Sequence, residues 1–380
     1  MATFNKTHEM IRKMVRELSR GKIAELASEA DKTKVYPQAL HDIFIDAGLF
    51  VIRVSQEYDG GGMDFTSSCI VVEELARVDG TCSMTIAHHH AGLCSFMKGV
   101  NQAQKDKYLP KIGKGDYLVG FALTESNAGS DAFALQTLAT PDGNDYIING
   151  NKCFITNSGL TDLYVVFTTV DPTLRRDGIT AFLVEKDTPG FKVGKAENKM
   201  GFRASPSCEL IFDHVRVPKE NLLGEIGKGW ELVHQSLTET RVMIAAMALG
   251  LAQGAMEAAV AYAKKREQFG APINSFQGVS FMLADMAIQV ELARSLTYEI
   301  AEKIDRGEKN LHYYASIAKC AATDIAMKVT TDAVQVLGGY GYTEDYPVEK
   351  FMRDAKATQI FEGTNQIQRI QITRHLSKIY

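Results

Sequence analysis

Tyr146-Ile-Ile148, Leu163-Tyr-Val-Val-Phe167, Ala181-Phe-Leu-Val184 and Glu209-Leu-Ile-Phe212 are short runs dominated by β-branched, aromatic and other apolar residues. Turn signals punctuate them: Asp142-Gly-Asn-Asp145, Asn149-Gly-Asn151 and Asp187-Thr-Pro-Gly190. This stretch reads as a small all-β domain, and the period changes on both sides of it. Upstream, Met10, Ile11, Met14, Val15 and Leu18 recur at helical spacing, as do the apolar residues from Ile70 to Gly80, with Pro37 and Gly60-Gly-Gly62 as punctuation. After Gly229, long helical patterns run to the end. The chain is therefore α+β, with an N-terminal helical domain over residues 1–118, a middle β domain over 119–228 and a C-terminal helical domain over 229–380. Strands and helices do not alternate as βαβ units, which excludes a doubly wound nucleotide-binding fold.

Composition narrows the function. A chain of 380 residues, 45% of them hydrophobic, can build two or three sizeable cores. A net charge of −4 gives no basic excess for nucleic acid, so a nucleic-acid partner is not expected. Cys69, Cys82, Cys94, Cys153, Cys208 and Cys320 are scattered and form no Cys-x-x-Cys pair. No metal site is expected from them, and they suit reduced thiols in the cytoplasm. Met-Ala-Thr-Phe-Asn-Lys leads into a helical pattern without signal or transit features. Met243 to Tyr262 is long and apolar enough to suggest a membrane span, but it is rich in Ala and Gly and carries Gln253 and Glu257. A helix buried between neighbours, without membrane insertion, is the expected reading.

One carboxylate near the C-terminus stands out, Glu362 in Gln359-Ile-Phe-Glu-Gly-Thr-Asn-Gln-Ile-Gln-Arg369. Ile360 and Phe361 place it beside low-dielectric surface, which disfavours its charged form and raises its pKa. Gly363 leaves room for a substrate to approach the backbone. Asn365 and Gln368 read as a capping box for a last helix. A general base for a weakly acidic C–H has this setting. On these local features alone, an exposed loop glutamate reads equally well.

Longer blocks decide between the two. Gly338-Gly-Tyr-Gly-Tyr-Thr-Glu-Asp-Tyr-Pro-Val-Glu-Lys350, then Arg353-Asp354 and Glu362-Gly-Thr364, resembles the C-terminal signature of the acyl-CoA dehydrogenases. Leu123-Thr-Glu-Ser-Asn-Ala-Gly-Ser-Asp131 is similar to that family's middle-domain signature, and the likeness covers essentially the whole chain. The resemblance implies a C-terminal four-helix bundle, a homotetramer, FAD as cofactor, an acyl-CoA thioester as substrate and electron-transfer flavoprotein as electron acceptor. It also implies α,β-dehydrogenation to the 2-enoyl-CoA. Two alternatives remain: an enoyl-CoA reductase running in reverse within an electron-bifurcating complex, and an inactive binding member of the fold. A peroxide-forming oxidase is disfavoured because such relatives are generally much longer.

The resemblance also assigns residues. Glu362 matches the catalytic base, with its own backbone N–H polarising the thioester carbonyl. Phe121, Leu123, Thr124 and Ser130 match the flavin and substrate wall, and Phe154 and Thr156 the pair against the flavin ring. Many relatives carry Trp where this chain has Phe154, and proline where it has Ser126. Arg266, Gln268, Phe269 and Gln277 resemble residues that reach the FAD pyrophosphate and adenine from a neighbouring subunit. Gln335, Gly338 and Gly339 resemble the loop over the FAD adenosine, and Thr364 and Gln366 further FAD contacts at the last helix start. Arg241 and Gly363, with Ser130, are the implied substrate contacts, Arg241 along the CoA path.

Some relatives place the base immediately before the arginine of a helix that is expected to start near Leu237. That position is Thr240 here, and Glu239, one residue away, reads as a solvated first-turn acid. His88-His-His90 lies on a helix, where consecutive side chains diverge by about 100° and do not converge on one ion. The helix from His88 to Phe96 is expected to close the distal end of the acyl cavity. Its rings would set the floor and Ala91-Gly92 the width, which suits a short or compact acyl group. The 14 methionines read mostly as core filler.

Overall fold

The structure, a computed structural model, describes residues 4–379. The N-terminal helices are α1 (Lys6–Leu18), α2 (Ala24–Thr33), α3 (Gln38–Asp46), α4 (Phe65–Ala76), α5 (Gly80–Gly99) and α6 (Gln102–Gly113). Their starts are written in the sequence. Asn5, Asp64 and Asp79 side chains accept from backbone N–H groups of the first turns of α1, α4 and α5, and Asn101 with Gln104 forms a capping box on α6. The apolar pattern of α1 is only partly a core face: Val15 is buried, whereas Met10 and Met14 face solvent.

The middle region is one sheet, ordered β6-β7-β3-β2-β4-β5-β8, with β1 beside β4. Its strands are β1 (Val119–Ala122), β2 (Leu138–Asp142), β3 (Asp145–Thr156), β4 (Leu163–Thr169), β5 (Ile179–Glu185), β6 (Phe191–Ala196), β7 (Ser207–Pro218) and β8 (Leu222–Leu223). β1 runs parallel to β4, and β4 pairs antiparallel with β5 in the register Val165↔Leu183. Every residue of β4 is buried, because its two faces feed two different cores. Val165 and Phe167 pack with Phe96 and Leu109 of the helical side, and Tyr164 and Val166 pack with Phe191 and Phe212 of the sheet itself.

The chain then returns to helices: α7 (Gly229–Lys265), a small hairpin of β9 (Glu267–Gln268) and β10 (Ala271–Pro272), α8 (Gln277–Asp305), α9 (His312–Leu337), α10 (Val348–Thr358) and α11 (Asn365–Ile379). α7 starts eight residues earlier than expected, at Gly229 rather than near Leu237. It is the apolar stretch that resembled a membrane span, and 78% of its most apolar window is buried inside the protein. Small residues make that burial possible. A Cβ on Gly250 would fall 2.2 Å from the Glu73 carbonyl oxygen, so α7 crosses α4 at backbone contact.

The two helical regions share one hydrophobic core, in which Val15, Ile70 and Leu75 join Met247, Val290 and Val329. Charges join them as well. Glu73 and Glu74 of α4 are each 1% exposed; Arg16 Nε and Nη2 bind Glu74 at 2.9 and 2.6 Å, and Arg294 and Tyr298 bind Glu73. Buried carboxylates are tolerated here because both meet guanidinium donors, and Glu73 also a phenolic hydroxyl.

Candidate active site

Between α10 and α11 the backbone enters the left-handed region twice in succession, at Glu362 (φ 56°) and Gly363 (φ 84°). A Cβ at Gly363 would lie 2.8 Å from Gln368 Nε2, so the position needs glycine for space as well as for φ. The capping box expected of Asn365 and Gln368 does not form. Thr364 Oγ1 accepts from Ile367 N (3.2 Å) instead, and both expected partners are buried and turned inward. Gln368 Nε2 donates to the Glu362 and Gly363 carbonyls at 3.1 and 2.9 Å. Asn365 Nδ2 donates to Asp324 Oδ1 (2.7 Å) and Thr323 Oγ1 (2.9 Å), while its Oδ1 accepts from Lys319 Nζ (2.9 Å). The carbonyls of this part-buried turn claim the side chains that would otherwise cap the helix.

The Glu362 carboxylate accepts a hydrogen bond from Thr240 Oγ1 at 2.9 Å. Burial raises its pKa, against the opposing influence of that hydroxyl and of the Arg241 and Lys319 charges. The Glu362 N–H meets no acceptor among the described residues. Both groups border a cavity of about 760 Å³ whose wall carries Phe121, Leu123, Thr124, Ser130, Phe154 and Thr156, with Thr240, Arg241 and Gly363 beside the acid. Phe154, at left-handed φ (57°), keeps its ring 63% exposed. Leu123 and its neighbours are braced from below by Lys152, fully buried, whose Nζ donates to the Leu123 carbonyl (3.0 Å) and Glu125 Oε1 (2.7 Å). Burial lowers Lys152 to about 8, against the pull of Glu125. Trp230, stacked edge-on against Phe133 at 4.6 Å, also lines the cavity.

Met84, Ala87, His88, Met243 and Ile244 form part of the same wall. Of the three histidines, His88 alone lines the cavity. Its Nε2 accepts from Phe121 N (3.4 Å), and burial pushes its pKa down to about 4, so the ring is neutral. His89 and His90 turn into the protein, and no set of metal-binding side chains occurs among the described residues. The width assigned to Ala91 and Gly92 is corrected by the structure. Neither lines the cavity, and a Cβ on Gly92 would fall 2.4 Å from the Val119 carbonyl oxygen, so that glycine serves the packing of α5 on β1. Glu239 is corrected too. Because α7 starts earlier, Glu239 lies well inside it at 7% exposure, bound by Arg53 Nη1 (2.7 Å) and Lys98 Nζ (2.9 Å). Burial alone would raise its pKa, but the two cations hold it below the usual carboxylate value, as a structural ion pair.

A second cavity, of about 470 Å³, brings together Arg266, Gln268, Gly338 and Gly339 with Tyr262 and Tyr340. The Arg266 guanidinium stands 6.0 Å from the Tyr340 ring centroid. Phe269 is 96% exposed nearby in sequence, and Gln277, Gln335 and Gln366 are exposed on helices, while Thr364 sits beside the turn. The two cavities share no lining residue. Thr240 as a partner of the acid, Gln368 as a donor to the turn, and Lys319, Lys152 and Trp230 escaped the sequence reading. The one available signal for Lys319 was a cation set in the apolar run Ala315-Ser-Ile-Ala-Lys-Cys-Ala-Ala322.

Similarity to known proteins identifies the family. Residues 5–116, 120–215 and 227–377 match, in turn, the N-terminal, middle and C-terminal domains of acyl-CoA dehydrogenase. The short-chain specific acyl-CoA dehydrogenase of Clostridium acetobutylicum is 44% identical over 376 residues, covering 97% of this chain and 98% of the relative. The butyryl-CoA dehydrogenase of Megasphaera elsdenii superposes with a TM-score of 0.96 at 42% identity, over 98% of this chain and 99% of that one. A chain from a structural study of the electron transferring flavoprotein of Acidaminococcus fermentans and flavin-based electron bifurcation gives a TM-score of 0.96 at 45% identity, over 98% of each chain. With three matched domains in order and a half-buried glutamate in the turn of the C-terminal signature, this chain belongs to the acyl-CoA dehydrogenase family.

Proposed function

We propose that this acyl-CoA dehydrogenase oxidises short or compact acyl-CoA thioesters to 2-enoyl-CoA products, with Glu362 as the base for the α-proton. The observation that carries the reading is a carboxylate with raised pKa, fixed by Thr240 at the edge of a largely apolar cavity. A base whose proton affinity is raised by burial is better matched to a weakly acidic C–H than an ordinary surface glutamate. The Glu362 N–H is left to receive the thioester carbonyl, where it stabilises the charge that develops as the α-proton leaves. Apolar walls exclude water and strengthen both interactions.

FAD is the cofactor of the family, and the residues fit it. The exposed Phe154 ring offers an apolar face, with the hydroxyls of Thr124, Ser130 and Thr156 around it, as a planar ring system with polar edges requires. When bound, FAD supplies the two-electron acceptor for the β-hydrogen, which leaves as hydride. Arg266 with the Gly338–Gly339 backbone suits a diphosphate and adenosine. Their separation from the catalytic cavity supports their contribution to a neighbouring copy's site. The stripe Phe281, Ile288 and Leu292 on one face of α8, each at least 58% exposed, supports the same homotetrameric reading. Six free thiols support a cytoplasmic setting. Likeness to the Acidaminococcus chain supports electron-transfer flavoprotein as the partner, and the reductase direction as a second reading that uses the same residues.

Glu362→Gln tests the base. The FAD-loaded variant, mixed anaerobically with butyryl-CoA, is expected to lose flavin reduction by about 10²–10⁴-fold or more while retaining FAD. Reduction near the wild-type rate overturns the assignment.

A further inference from the structure

Gln368 already satisfies both carbonyls of the catalytic turn, with bonds of 3.1 and 2.9 Å. Lys319, from α9, adds a second donor to the Gly363 carbonyl at 2.9 Å, and this donor is a titratable amine. The residue is completely buried, and its other partner, Asn365 Oδ1 at 2.9 Å, is neutral. No carboxylate lies within ion-pairing distance of Lys319 among the described residues. A buried ammonium without an ion-pair partner is costly, and a second neutral amide would serve a purely structural purpose at lower cost.

We propose that Lys319 is a positioning residue for the catalytic carboxylate, holding the Glu362–Gly363 turn in place and, through its charge, keeping Glu362 ionised to receive the proton. This inference rests on the reading of Glu362 as the base.

The groups facing Lys319 show where its field acts. Its own helix contributes Cys320 and Asp324, α7 contributes Arg241, α11 contributes Asn365, and the turn contributes Glu362. Asp324 is occupied elsewhere: Arg369 Nη2 binds it at 2.7 Å, and Asn365 and Gln359 donate to it at 2.7 Å each. Arg241, 7% exposed, reaches only Ser316 Oγ, at 3.3 Å, and its Nε has no partner. Glu362 is thus the carboxylate left to answer two buried cations. Burial moves the two partners in opposite senses, raising Glu362 and lowering Lys319 to about 7, while each charge opposes the other's shift. Arg241 is a permanent cation, so Lys319 is the part of this pair that changes with pH.

Infrared difference titration of the ligand-free, FAD-loaded protein reads this coupling without turnover. The protonated carboxyl band of Glu362 is assigned by its absence from Glu362→Gln. In Lys319→Met the titration midpoint of that band is expected to rise by about one pH unit or more, with the acid limb of flavin reduction by butyryl-CoA moving by the same amount. Lys319→Arg, which keeps the charge, restores both. A Lys319→Met midpoint equal to wild type, with only the thermal midpoint changed, overturns the proposal. If that variant fails to fold, Lys319→Gln takes its place, and a midpoint equal to wild type in it overturns the proposal. Activity in Glu362→Gln would sink the base assignment and leave the Lys319–Glu362 coupling to be read from the infrared band.

Discussion

Thr240 Oγ1 donates to Glu362 Oε2 at 2.9 Å, joining the middle of α7 to a turn 122 residues later. The position at which some relatives carry the base therefore holds the proposed base in this chain. A hydroxyl bonded to a carboxylate favours its charged form and fixes its rotamer, and both effects matter for a proton transfer that depends on alignment.

Thr240→Val removes the donor and conserves the shape. The base should bind its proton more tightly, so the acid limb of flavin reduction moves to higher pH. The rate at neutral pH is expected to fall by about ten- to a hundredfold, the worth of about 1.5–3 kcal/mol for a hydrogen bond to a charged group. Thr240→Ser should recover most of the loss. Stopped-flow reduction across pH measures both, and a pH-independent loss in Thr240→Val argues against this role.

Arg266→Ala should act on cofactor retention rather than on proton abstraction. Arg266 belongs to a cavity separate from the Glu362 site, so its loss is expected to release FAD and shift the protein away from the tetramer. Flavin absorbance and gel filtration read the two effects. Full occupancy with unchanged size would remove Arg266 from the cofactor site.

Chain-length preference follows from the cavity wall, in which Met84 and His88 stand with Phe121 and Ile244. Butyryl-CoA is expected to bleach the flavin much faster than palmitoyl-CoA. The preference should be graded, because an apolar pocket discriminates by about 1–3 kcal/mol per methylene. Equal or faster bleaching by palmitoyl-CoA would refute a short or compact substrate.

Acid should destabilise the N-terminal helices through their histidines. Burial lowers His88 to about 4 and His90 to about 3, and His89 also lies well below its usual value. The folded state keeps these rings neutral, whereas the unfolded chain protonates them near 6.5. Their contribution is therefore complete above about pH 6.5 and is lost as pH falls through the window down to the folded values, at about 1.4 kcal/mol per pH unit for each ring that titrates. His90 is 1% exposed, so His90→Leu should flatten the fall of the urea midpoint between pH 6.5 and 4. An unchanged slope would show that other groups drive it.

Much of this protein was determined by its sequence alone. Strand runs such as Leu163 to Phe167 and the Ala- and Gly-rich α7 were legible because β-propensity and small-residue content are local properties. The long signatures likewise singled out Glu362 and the residues that now line its cavity. Tertiary structure decided what the isolated codes could not. Glu239 looked solvated until Arg53 and Lys98, from distant helices, closed on it. Asn365 and Gln368 looked like caps until burial of the Glu362–Gly363 turn demanded their side chains. Gly92 looked like cavity space until β1 packed against it, and Lys319 drew no notice until α9 set it against the Gly363 carbonyl. In each case the deciding quantity was the desolvation of a polar group, or the approach of a backbone, between segments far apart in sequence. Such contacts exist only once the helices and the sheet have packed, so no local pattern encodes them.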